Sequence, residues 1–474
     1  MKDRTGMMNR PVNDDPVAKP TGGAGHDLRQ AEKESSCETD SKGSAPTLEE
    51  VLSPSNLSAA WKQVRSNKGA AGVDEMGVGD FPAFIRNHWE TIRAKLESGT
   101  YGPSPVKRVW IPKADGSRRA LGIPTVLDRV LQQAIAQVMT PRYDPEFHER
   151  SFGFRPGRRA HDAIETLQRE GNKRRPKCHV VDCDLQSFFD VVDHDLLMRR
   201  LQQRIEDPRL LRLIRAYLKA GVILPDGSRE ATRQGVPQGG PLSPLLANVL
   251  LDGLDRELDK RGHSFVRYAD DFVILCSSLR AGERILRSVK RFVVKHLKLI
   301  VNETKSGVVP LDGCSFLGFR IEKGKVRWSP KSQARFKATV RRLTSRTRGV
   351  SPGQVVAELR RYTRGALNYY MMGVKFAEVR DLDQWIRRRM RSYYWKQWGR
   401  PRTRRRRLLA LGIDRERVKM ASRSRKGPWR LSRNSIVHQA MSVGWLTEQG
   451  LHSLEAQWIN IRYPGGPEPL PEVT

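Results

Sequence analysis

Apolar residues recur at helical spacing from Thr47 onward, where Leu48, Val51, Leu52, Leu57 and Trp61 begin one face, and again at Phe84, Ile85, Trp89, Ile92 and Leu96. Residues 46–104 are therefore expected to form an N-terminal helical extension. The period then changes. PVKRVWIPKADGSRRALGIP has two short apolar runs around an Asp-Gly dipeptide, which predicts two strands and a tight turn, and HVVDCDLQSFFDVVDHDLLMRRL reads as strand, turn and helix. Residues 105–328 are thus expected to be α+β. Beyond 329 the helical spacing returns. Ser351-Pro-Gly-Gln354 has the form of a capping box with proline at the first helical position, opening a helix to about Met372. A further helix, from Asp381 to about Trp398, carries a stripe of Leu382, Ile386, Met390, Tyr393, Tyr394 and Trp398, with Gly399 and Pro401 as its stop.

Composition adds the ends and the partner. A chain of 474 residues predicts two or three folded units. Residues 1–45 are rich in Gly, Ser, Pro, Asp and Lys and have too few large apolar residues to order themselves, and residues 463–474 are rich in Pro and Gly, so both read as flexible tails. Lys and Arg number 86 against 52 Asp and Glu, a net charge of +34, far beyond what solubility needs. Such a balance points to a polyanion, and nucleic acid fits better than a membrane surface because the basic residues interleave with aromatics in the C-terminal third. Between Asp383 and Asp414 there is no acidic residue, while arginine stands at 387 to 389, 391, 400, 402 and 404 to 407, a segment expected to touch phosphates. No apolar run approaches the roughly 20 residues needed to span a bilayer, and no hydrophobic stretch follows the first charges, which predicts a soluble, cytoplasmic protein with no membrane partner. The cysteines, at 37, 178, 183, 276 and 314, are odd in number and form no Cys-x-x-Cys pair, so neither a disulfide framework nor a zinc ribbon is indicated.

The candidate chemistry lies in HSFVRYADDFVILC, where two carboxylates interrupt a run that should bury itself. The pattern predicts a hairpin with Asp270 and Asp271 at its tip. Carboxylates this close repel unless a cation lies between them, which suggests divalent metal, although a solvated turn would also tolerate them. In VVDCDLQSFFD, Asp182 and Asp184 alternate onto one face as a strand runs out. Aspartates from two adjacent strands could bridge two Mg2+ ions roughly 3.5–4 Å apart, one activating a 3′ hydroxyl and one neutralising a triphosphate. The plainer alternative has Asp182 or Asp184 capping the turn before the helix at His194.

Taken together, VDCDLQSFFD, QGVPQGGPLSPLLANVLLD and YADD resemble the palm motifs of reverse transcriptases, specifically those encoded by bacterial group II introns. IPKADGSRRALGIPTVLDRVLQQA and SFGFRPGRRAHDAI resemble the fingers blocks, LKLIVNETKSG and FLGFRI the blocks after the hairpin, and LRRYTRGALNYYMMG the maturase thumb. The resemblance covers about residues 48–460. It implies a right-hand polymerase over 105–328, a helical maturase or thumb domain over 329–400, and a small basic DNA- or RNA-binding region over 401–462. It lacks the family's frequent C-terminal endonuclease, since no Cys pairs or His-Asn-His pattern follow Trp445. For endonuclease-less relatives, mobility is expected to use a primer made elsewhere.

By the same resemblance, Asp184, Asp270 and Asp271 are the Mg2+-binding catalytic triad with the Leu185 backbone beside them. Lys113 and Arg119 grip the incoming dNTP, Phe189 stacks beneath the sugar and excludes a 2′ hydroxyl, Gln238 lines the nucleotide pocket, and Lys305 steadies the site. Its glycine-rich loop is followed by Ser243-Pro244, expected to cap the next helix. Arg360, Arg361, Arg364, Arg387, Arg388, Arg391, Arg404 and Arg405 would hold nucleic acid. The implied activity is RNA-directed DNA synthesis, together with binding and splicing of the parent intron RNA. The implied partners are group II intron RNA, an RNA template, a DNA primer and target DNA, and a homodimer is left open. A splicing factor without polymerase activity and a host-adopted reverse transcriptase are the competing readings.

Overall fold

Thr47 caps the first helix, its hydroxyl accepting the Glu50 amide at 3.3 Å. The computed structural model describes residues 45–112, 116, 118–174 and 178–465. Lys113, residues 1–44 and residues 466–474, with most of both expected tails, lie outside the described residues.

The helices α1 (Leu48–Leu52), α2 (Pro54–Ser66) and α3 (Phe81–Glu97) bury Leu48, Val51, Ala60, Val64, Phe81, Ile92 and Leu96. These side chains share one core with α4 (Val126–Tyr143) and with the helices that back the second sheet below. The N-terminal helices are therefore integral to the part of the chain that carries the second sheet and have no core of their own.

β1 (Val106–Pro112) and β2 (Arg118–Ile123) form the expected antiparallel hairpin. After α5 (Ala160–Asn172) come β3 (His179–Asp184), the one-turn α6 (Phe188–Val191), α7 (His194–Gln202) and α8 (Pro208–Leu218). β4 (Val222–Ile223) returns to lie parallel to β1, with β5 (Arg229–Glu230) on its outer edge. α9 (Ser243–Lys260), β6 (Phe265–Tyr268), β7 (Asp271–Cys276), α10 (Leu279–Phe292) and β8 (Gly307–Pro310) follow, and the second sheet runs β6-β7-β3-β8, antiparallel throughout.

Register in that sheet positions the candidate site. Val181, Cys183, Phe272 and Ile274 face the helical core, whereas Val180, Val266, Val273 and Leu275 face a second apolar cluster on the other side. Alternation puts Asp182 and Asp184 on this second face, where β3 extends past the end of its buried stretch. A slip of one residue would turn both carboxylates into the helical core, so hydrophobic burial on two faces locks the register.

A meander of β9 (Ser315–Phe316), β10 (Phe319–Glu322) and β11 (Lys325–Trp328) leads into α11 (Pro330–Leu343), α12 (Pro352–Tyr370) and α13 (Phe376–Gln397). Ser351 caps α12 by accepting the Gln354 amide at 3.2 Å, but the Gln354 side chain reaches forward to Glu358, so the box is half formed. α13 starts five residues before Asp381, because Glu378 accepts the Lys375 amide at 2.9 Å and closes an earlier first turn. Pro401 does not merely stop α13; it occupies the first turn of α14 (Pro401–Ala410), where a missing N–H costs nothing. α15 (Arg415–Ser422), α16 (Pro428–Leu431), α17 (Ser435–Ala440), α18 (Val443–Glu448) and α19 (Leu454–Arg462) complete the chain. One core extends from Trp328 through Tyr393 and Trp395 to Leu454, so the expected boundary near 400 divides no core.

Candidate active site

The hairpin expected around Asp270 and Asp271 forms, with Tyr268 paired to Asp271 across a two-residue loop of Ala269 and Asp270. Ala269 takes φ of 59°, a left-handed conformation that short hairpin loops usually assign to Asn or Gly. Two features hold it. A Cβ on Gly153 would come within 2.3 Å of the Ala269 nitrogen, so only glycine lets that neighbouring segment close on the turn. Beneath it, Arg267 is fully buried, donating to the Asp255 carboxylate at 2.7 and 2.5 Å, to Asn248 Oδ1 at 3.0 Å and to the Ala269 carbonyl at 3.0 Å. Asn248 Nδ2 donates in turn to the Gly153 carbonyl at 2.9 Å. Sequence reading missed Arg267, Asp255, Asn248 and Gly153; the signal was the arginine inside an apolar strand, which must find a buried acid.

Across from the hairpin, β3 pairs Asp184 with Asp271 and Asp182 with Val273. Directly opposed residues share a face with Cβ atoms about 4.5–5.5 Å apart. The Asp184 carboxylate accepts Asn302 Nδ2 at 3.1 Å and lies 3.4 Å from Lys305 Nζ. Burial, then the Asp270, Asp184 and Asp182 charges, push the Asp271 carboxyl up to about 7 against the opposing charge of Lys305. Asp271 is itself exposed at the end of the sheet, where the register holds these like-charged neighbours beside it. Asp182 rises to about 6 through burial and then the Asp184 charge. Asp270 is raised by burial and by Asp184, with Arg119 and Arg267 opposing. The capping alternative for Asp182 and Asp184 falls, since Asp193 caps α7 by accepting the Leu196 amide at 2.7 Å. The carboxylates crowd one another without closing into a ligand cage: among the described residues no three His, Cys, Asp or Glu side chains converge as a ready metal centre.

The other expected site residues are distributed as follows. Arg119, on β2, is exposed and near enough to act on Asp270. The Leu185 side chain is buried and its backbone bridges to Val301. Phe189 is half-buried on α6, with Phe188 edge-on at 5.1 Å and Phe154 edge-on at 6.4 Å. The Gly-rich loop passes between α6 and the first sheet: Val236 N donates to the Phe189 carbonyl at 2.6 Å, Gln238 Nε2 donates to Asp190 at 3.2 Å, and the Gln238 carbonyl accepts the Gly122 amide at 2.7 Å. Ser243 does not cap α9; its hydroxyl donates back to the Pro237 carbonyl at 2.7 Å and ties down the loop.

Arg360, Arg361 and Arg364 are exposed along α12, and Arg405 is exposed on α14 with Arg402, Arg406 and Arg407. Arg404 is half-buried over Trp395, and Arg388 lies 3.7 Å from the Trp429 ring centre. Arg387 and Arg391 are corrections to the phosphate-binding expectation. Arg387 is buried between Asp383 (3.6 Å) and Glu455 (3.2 Å), and Arg391 is buried with its Nε donating to the Met441 carbonyl at 2.8 Å. They stand one and two turns beyond Asp383, on the side of α13 that faces the C-terminal helices, which a tally of arginines along the chain cannot reveal.

Two strand-borne carboxylates opposed in register beside a turn carrying a third, with Arg119 of the basic hairpin near enough to act on it, have the arrangement of a nucleic-acid polymerase palm. The family described as reverse transcriptase (RNA-dependent DNA polymerase) matches residues 111–321, and the group II intron maturase-specific domain matches residues 333–412. Among curated relatives, protein YkfC of Escherichia coli (strain K12) is 35% identical over 319 residues, 59% of this chain and 83% of that one. The group II intron-encoded protein LtrA of Lactococcus lactis subsp. cremoris is 37% identical over 227 residues, 46% of this chain but only 37% of that longer protein. A chain of a partial Cas6-RT-Cas1–Cas2 complex is 26% identical, covering 53% of this chain and 43% of that one, at a TM-score of 0.33, too low to carry an argument. The chain belongs to the group II intron reverse transcriptase and maturase family. Among the described residues no helix is long and apolar enough to cross a membrane.

Proposed function

We propose that this protein acts in the cytoplasm, copying RNA into DNA by two-metal nucleotidyl transfer, and that it binds and helps to splice its parent intron RNA. The pairing of Asp184 with Asp271 beside Asp270 carries the polymerase reading. Elevation of the Asp270 and Asp271 carboxyls by their like-charged neighbours marks a site whose charge lacks enough neighbouring cation, and hard oxygen donors of this kind suit Mg2+. Asp184, Asp270, Asp271 and the Leu185 carbonyl would hold the ions, which when bound supply an activated 3′ hydroxyl and neutralise the triphosphate.

The chain's own residues do the rest. Arg119 meets the triphosphate, together with Lys113. Phe189 stacks beneath the sugar, Gln238 lines the pocket from a loop fastened at both ends, and Lys305 holds Asp184 in place until substrate arrives. The exposed Arg360, Arg361, Arg364 and Arg405, together with the less exposed Arg388 and Arg404, take the phosphates of template–primer duplex, intron RNA and target DNA. Primer extension on an RNA template with Mg2+ and dNTPs tests the polymerase: the full chain should make cDNA, and Asp184→Asn and Asp271→Asn should each make none. Unimpaired synthesis by either variant overturns the reading.

A further inference from the structure

Phe154 is a phenylalanine where neither burial nor backbone favours one. Its side chain is 47% exposed, and its φ of 61° is a left-handed conformation that bulky L-residues rarely adopt. The residues on either side explain how the conformation persists. Gly153 is wedged against the Tyr268–Ala269 backbone and its carbonyl is held by Asn248. Arg155 is buried, with Nε on Asp144 at 2.7 Å and its other nitrogens on the carbonyls of Asp144, His148 and Ser151 at 2.6, 2.7 and 3.0 Å. Phe154 is thus pinned between two immobile neighbours, and the pinned backbone brings its ring to Phe189 at 6.4 Å and 71°, within the range of an edge-to-face aromatic pair.

Phe189 has its other aromatic neighbour, Phe188, one residue before it on a four-residue helix. Such a short helix cannot by itself fix the tilt of a side chain on its surface. The strained Phe154 is the one aromatic contact to Phe189 from outside α6 among the described residues.

We propose that Phe154 is a positioning residue for sugar selection: by bracing Phe189 it sets how closely that ring approaches the 2′ position of the incoming nucleotide. The inference rests on the reading of Phe189 as the sugar gate. Phe154 touches no reacting atom and acts through Phe189 alone.

The test is single-nucleotide incorporation by the full chain on an RNA template, comparing kcat/KM for a dNTP with that for the matching rNTP. Phe154→Gly removes the ring and suits the left-handed backbone, so the variant should melt no lower than the parent. Its selectivity for dNTP over rNTP should fall on the order of three- to tenfold, the scale of one edge-to-face contact. Phe154→Tyr keeps the ring and should keep the selectivity. If Phe154→Gly retains full selectivity while Phe189→Ala loses it, the bracing role is wrong and the gate stands. Equal slowing of dNTP and rNTP by Phe154→Gly also overturns the role. If Phe189→Ala leaves selectivity unchanged, the gate reading fails and takes this inference with it.

Discussion

Arg267→Met offers the sharpest check on how the Ala269–Asp270 turn is built. The wild-type guanidinium is fully buried and makes four hydrogen bonds, two to the equally buried Asp255, one to Asn248 and one to the Ala269 carbonyl. Methionine fills similar volume but leaves Asp255 as an unpaired charge in the core, a change that costs about 3–5 kcal/mol. The stranded carboxylate will respond by holding its proton to higher pH. A group whose folded pKa is raised contributes stability below its unfolded pKa and loses it as pH rises through the folded value, so the deficit of Arg267→Met should widen as pH rises. Arg267→Met with Asp255→Leu removes both partners and should recover most of the loss, since apolar replacement of a buried pair is often near neutral. Without its carbonyl anchor, the strained Ala269–Asp270 turn also relaxes, and displacement of a catalytic group by about 1 Å can cost on the order of a hundredfold in rate. Denaturant unfolding at several pH values, with primer extension on the same samples, measures both effects. A deficit below about 1 kcal/mol, or a double variant as unstable as the single one, would refute the reasoning.

Gly153→Ala forces a Cβ to within 2.3 Å of the Ala269 nitrogen, so primer extension should drop at least about tenfold and stability should fall by about 1–3 kcal/mol, read as melting temperature. The buried Asp128 accepts from Tyr101 Oη, Thr125 Oγ1 and the Ser104 amide at 2.8, 2.8 and 3.1 Å, and burial raises its pKa. Wild-type stability from this carboxyl is therefore present below the ordinary carboxylate range and lost as pH rises through the raised value, so Asp128→Asn should melt furthest below the parent at low pH and draw closer as pH rises. For RNA binding, Arg405→Ala should flatten the plot of log affinity against log salt by roughly 0.7–0.9, whereas Arg387→Ala should lower the melting temperature and leave the slope unchanged. Equal slopes for Arg405→Ala and the parent would remove α14 from the nucleic-acid surface.

Hydrophobic spacing separated the helical N-terminal and 351–398 stretches from the strand hairpins between them, because period is a local property that burial of one face enforces, but it misplaced the start of α13 and did not foresee that Pro401 opens α14. It placed the hairpin tip one residue late, at Asp270–Asp271, where the loop is Ala269–Asp270 and Asp271 already pairs in the strand; it put Asp182 and Asp184 on one face, and the basic excess pointed to a polyanion as partner. What it could not contain is which distant residue answers each charge. Arg387 and Arg404 look alike in a run of arginines, yet one is shut between Asp383 and Glu455 while the other lies half-open over Trp395. Arg267 looks like an intrusion into a strand until α9 brings Asp255 and Asn248 beneath it, and Ser243 looks like a cap until Pro237 turns back to meet it. The Arg267–Asp255 and Arg387–Glu455 pairings span 12 and 68 residues and depend on how helices and sheet are stacked, and that stacking is decided by side-chain fit in three dimensions, which no window along the chain can register.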